Sequence, residues 1–153
     1  MSWMFLYCKS LTSINFTNFK TSKVTSMQCM FDGCYSFTSL NLSIFDTSHV
    51  TTMYMMFYNC TSLTSLDLSG FNTSILVDTR SMFKDCINLQ YVNMGILNEY
   101  NLSEYNDMFK NTPENLVICI NDTNDNSRIL SLIQSKLCYN IDCSEYWKIK
   151  QKK

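Results

Sequence analysis

Apolar residues recur along this chain at one fixed step. Met-Phe pairs stand at Met4-Phe5, Met30-Phe31, Met56-Phe57, Met82-Phe83 and Met108-Phe109, each 26 residues after the last. Cys8, Cys34, Cys60 and Cys86 keep that step, as do Leu11, Phe37, Leu63 and Leu89. So do Ile14, Leu40, Leu66 and Val92, then Phe16, Leu42, Leu68 and Met94, then Phe19, Phe45, Phe71 and Leu97. A period of this length marks supersecondary units that stack because none can bury its apolar face alone.

Within a unit the spacing is L-x-x-L-x-L-x-x-F, as in Leu63, Leu66, Leu68 and Phe71. Leu66-Asp67-Leu68 alternates apolar and polar positions, which predicts a short strand. The spacing fits the leucine-rich-repeat template, in which such strands form a parallel sheet. Upstream, Val50, Met53, Met56-Phe57 and Cys60 place apolar residues three or four apart, so Met53 to Cys60 is expected to form a short helical turn. Phe45-Asp46-Thr47-Ser48 and Phe71-Asn72-Thr73-Ser74 lie between, where Asp46 or Asn72 can close a turn. The expected fold class is an α/β solenoid of stacked parallel strands and short helical turns.

Residues 3–112 therefore read as the solenoid: four full repeats and a degenerate fifth that begins near 108. Thr112-Pro113 breaks the pattern, and Val117-Ile118-Cys119-Ile120 keeps its strand. Residues 113–147 read as a C-terminal cap, with a helix near 128–137 suggested by Ile129, Leu130, Leu132, Ile133 and Leu137. Residues 148–153 form a basic tail. The first unit starts uncapped, and the chain is read as a fragment or truncated copy of a longer array.

Composition narrows the function. Net charge is −1, from 12 basic and 13 acidic residues, which argues against a nucleic-acid binder. No apolar run reaches the roughly 18–20 residues of a membrane span, and the first residues lack the basic start of a signal peptide. The single histidine, His49, sits at a variable position, with no phosphate loop, zinc motif or paired carboxylates beside it. The expected protein is not an enzyme and needs no metal or cofactor.

The unit S-L-T-S-L-[DN]-L-S-x-F-[DN]-T-S, followed by V-T-x-M-x-x-M-F-x-x-C, resembles the BspA-like leucine-rich-repeat surface proteins. More narrowly, it resembles their 26-residue-repeat branch among mycoplasma lipoprotein-associated proteins, over about residues 3–109. The resemblance implies a right-handed solenoid, extracellular or at the cell surface, used for adhesion or protein binding. It implies no catalytic residues. The degraded fourth and fifth units and the cysteine-bearing tail depart from the pattern and leave the ligand open.

The candidate ligand face is the outward side of the strands: Ser13, Asn15, Ser39, Asn41, Ser65, Asp67, Tyr91 and Asn93. Such a surface offers many weak hydrogen bonds to a protein or glycan. Alternatively, these residues are only solvated, or bond one another across units. A structural spacer without ligand and an intracellular scaffold are the competing functions. Directly stacked cysteines at about 4.8 Å are too far apart for a disulfide, so the cysteine column is expected to be core thiols. Cys119, Cys138 and Cys143 lie outside it and are the candidates for a disulfide. Asn15, Asn41, Asn59, Asn72, Asn101 and Asn121 each begin an N-x-S/T tripeptide, which the repeat itself generates.

Overall fold

The computed structural model describes residues 1–98 and 100–120. The helix expected near 128–137, the basic tail at 148–153, Cys138, Cys143 and Asn121 lie outside them. Three strands form one parallel sheet in the order β1 (Ser65–Asp67), β2 (Tyr91–Gly95) and β3 (Val117–Ile120). The register follows the sequence step: Leu66 pairs with Val92, and Val92 with Ile118. Unit 5 has lost one residue, so the register slips and Gly95 faces Ile120. Gly95 has φ +59° and lies against unit 3, where a Cβ would stand 2.6 Å from the Ser69 Cα. A second line of parallel bridges joins Ser26, Thr52, Asp78 and Glu104.

No helix occurs among the described residues, which corrects the expectation for Met53–Cys60. The reason lies in where the backbone N–H groups go. Met53, Met55, Phe57 and Asn59 donate to the carbonyls of Asp78, Arg80, Met82 and Lys84 in the next unit. Met56, Tyr58 and Cys60 donate instead to Met53, Met55 and Phe57, closing turns within the unit. Alternate residues therefore serve neighbour and self, and the donors an α-helix needs at every position are gone. Met55 and Asn59 have φ of 53° and 55°, as the third residue of a type II turn requires. The same pair of positions is Cys29 and Gly33, Ser81 and Asp85, Asp107 and Asn111 in other units.

The apolar column fills the interior. Phe5, Phe31, Phe57, Phe83 and Phe109 stack ring on ring at centroid distances of 5.4, 5.5, 5.5 and 5.3 Å, with planes within 7° of parallel. Phe31, Phe57 and Phe83 are fully buried, whereas Phe5, in the first unit, is half-buried. Three buried threonines tie the units together as well. Thr47 Oγ1 accepts from the Asn72 N–H at 2.8 Å and donates to the Asn72 carbonyl at 3.1 Å. Thr21 accepts from Asp46, and Thr73 from Asn98, in the same way.

Two substitutions test this packing by chemical unfolding. Phe57→Ala is expected to cost about 3–5 kcal/mol, and Phe5→Ala, at the half-buried end, about 1–2 kcal/mol; equal losses would contradict a graded stack. Thr79 replaces the methionine of earlier units, and its buried Oγ1 has no hydrogen-bond partner. Thr79→Val is therefore expected to stabilise by about 1 kcal/mol, and a lower unfolding midpoint would count against the assignment.

Candidate functional site

The outward strand positions are brought together in part. Ser39, Asn41, Ser65 and Asp67, with Ser43, Ser69 and Gly70, line a half-open groove of about 460 Å³ across units 2 and 3. The alternation that buries Leu66 (1% exposed) turns Ser65 and Asp67 the other way. Ser13 and Asn15 continue this face, exposed, on unit 1. Unit 4 departs from it. Tyr91 was expected to be an outward contact, yet it is 3% exposed and clusters with Cys119 and Val117. A phenol there gains more from packing on its sheet neighbour than from facing water. Burial, with the nearby Asp67 carboxylate, pushes its hydroxyl up to about 12.

The Asn and Asp residues of this face also hold their own chain. Oδ1 of Asn15, Asn41, Asp67 and Asn93 accepts the backbone N–H of Thr17, Ser43, Ser69 and Gly95, respectively, closing a turn at the same place in four units. Asp46 and Asn72 close the expected turns at Ser48 and Ser74. Thr21, Thr47 and Thr73 were not singled out from the sequence. Their signal was there: one hydroxyl residue held three times at one column of the repeat.

His49 is exposed and its Nδ1 lies 3.1 Å from Ser48 Oγ, which itself donates to Asp46 Oδ1 at 2.6 Å. Serine thus sits between acid and imidazole, whereas a relay needs the imidazole between acid and hydroxyl. The Ser48 hydroxyl and backbone N–H hold the Asp46 carboxyl below its ordinary range. No group of three or more metal-ligating side chains occurs among the described residues. No described helix is long and apolar enough to cross a membrane.

Cys8, Cys29, Cys34, Cys60 and Cys86 are free thiols. Cys34, Cys60 and Cys86 donate from Sγ to the carbonyls of Phe5, Phe31 and Phe57 at 3.0, 3.1 and 3.0 Å. Burial raises all three, Cys34 and Cys86 to about 12. Thiols so protonated are poor nucleophiles. Cys119, buried on β3, is disulfide-bonded.

Asp32 is the one buried carboxylate among the described residues, 6% exposed, and its Oδ1 has no hydrogen-bond partner. Desolvation lifts it to about 6 from its ordinary 3.8.

Parallel strands and bridges at a near-constant step define a small parallel-sheet protein with an open polar groove. The chain belongs to the DUF285 family, described as Mycoplasma protein of unknown function, which matches residues 1–118. No curated protein and no solved structure matches the chain.

The raised Asp32 carboxyl favours the folded state while protonated, below about pH 4, and that contribution is lost as pH rises through about 6. Asp32→Asn is therefore expected to stabilise the protein by about 2–3 kcal/mol at pH 7.5, with the gain shrinking toward zero near pH 4. Thermal melts across that range check it; a gain independent of pH would contradict the assignment.

Proposed function

We propose that the chain is a leucine-rich-repeat-like solenoid, displayed extracellularly or on a cell surface. It acts without catalysis, by presenting its outward strand face to a protein or glycan. The observation that carries this reading is the groove that gathers Ser39, Asn41, Ser65 and Asp67 on one side of the units. Its volume lies in the range of ligand-binding clefts. Membership of DUF285 and the resemblance to repeat-built surface proteins support the same assignment.

A structural spacer is the second reading, favoured by the four side-chain oxygens that cap their own turns. The two differ in what substitution does. Binding of the full chain to a glycan array and to a panel of matrix proteins is expected to show at least one saturable partner. Ser39→Arg with Ser65→Arg is expected to weaken that binding by about tenfold or more with the melting temperature unchanged. Binding that survives both substitutions moves the site elsewhere, and no binding at all leaves the spacer.

A further inference from the structure

The groove across units 2 and 3 has one charged wall. Asp67 is the only ionisable residue among its lining, which otherwise offers the serine hydroxyls and the Asn41 amide. One Asp67 oxygen is committed to the Ser69 N–H at 2.9 Å. No ion pair reaches Asp67 among the described residues, whereas Asp78 is paired with Arg80 and Asp107 with Lys84, both at 2.9 Å. Asp67 thus lines the groove without a counter-charge among the described residues.

Gly70 shapes the groove beside it. Its equivalents one unit before and one unit after are Ile44 and Ile96, exposed at 47% and 57%. A Cβ built on Gly70 would meet nothing within 4 Å, so glycine opens a gap in an apolar column without any packing need for it. Ile44 and Ile96 hold the equivalent position in the units before and after the gap, and Asp67 lines the same groove as Gly70. A side chain with an aliphatic stem and a cationic head matches that arrangement. A sugar-stacking platform is missing from the lining, since its one ring, Phe71, is 6% exposed and belongs to the core.

We infer that this groove receives a lysine or arginine side chain of an extended polypeptide partner, with Asp67 as counter-charge and the Gly70 gap as entry. The inference rests on the proposed binding face and names its ligand class. The test uses the full chain and two fluorescein-labelled probes, acetyl-(Thr-Lys)3-amide and acetyl-(Thr-Gln)3-amide, read by fluorescence polarisation at about 50 mM salt. The lysine probe is expected to bind about tenfold tighter than the glutamine probe and to weaken as salt rises. Asp67→Asn is expected to erase the difference. Gly70→Ile, which the open space accommodates, is expected to block the lysine probe with an unchanged melting temperature.

Equal binding of the two probes, or lysine binding indifferent to both variants, overturns the inference. So does failure of the lysine probe to bind. If maltohexaose then binds and Ser39→Arg abolishes it, the face reading survives with a glycan in place of the polypeptide. If both probes and maltohexaose fail, the face reading loses its support too.

Discussion

Each backbone N–H in the turn segments of this chain has one of two destinations, and the structure depends on keeping them in alternation. Phe31 donates to Met56 of the following unit while Asp32 and Cys34 donate to Cys29 and Phe31 of their own. The alternation satisfies every second donor across the stack and the rest within a turn, so a segment buried on its inner side leaves few orphans. It also sets a conformational demand. Two positions per unit must adopt positive φ, at a cost that Gly33, Asn59, Asp85 and Asn111 lower and that Met55 bears in full.

The side-chain ladders follow from that constraint. Once the backbones lie in register, the phenylalanines have no choice but to lie over one another, and each Sγ meets the carbonyl of the phenylalanine in the unit before. The thiols are therefore held protonated as part of the packing. The threonine column acts at the opposite turn, where Thr47 both donates to and accepts from Asn72. Because the interfaces repeat the same kinds of contact, stability accrues interface by interface, and Trp3, Met4 and Tyr7 of the first unit are about half exposed.

Much of this was legible in the sequence because the step of 26 is written in residue identities. The strand at Leu66, the parallel pairing, the inward columns and the turn-closing roles of Asp46 and Asn72 all follow from the periodic pattern. The turn segment did not, for a physical reason. Apolar residues three and four apart fit a helix, but a run of turns that points the same residues inward gives the same spacing. What separates them is the Gly, Asn or Asp two residues after four of the five Met-Phe pairs, a left-handed signal in Gly33, Asn59, Asp85 and Asn111 that periodicity ignores; Tyr7 holds the same position in unit 1. Tyr91 was misjudged because alternation says which way a side chain leaves the strand, not whether neighbours then bury it. Asp67 lines the groove, and the open space beside Gly70 is a property of three dimensions that no periodicity shows.

The alternation of donors is the central claim, and hydrogen-bond scalar couplings read it directly. A long-range HNCO spectrum of the labelled protein is predicted to connect the amide nitrogens of Met55, Phe57 and Asn59 to the carbonyl carbons of Arg80, Met82 and Lys84. Couplings from those nitrogens to carbonyls four residues earlier in the same segment would show a helix instead, and would contradict the account.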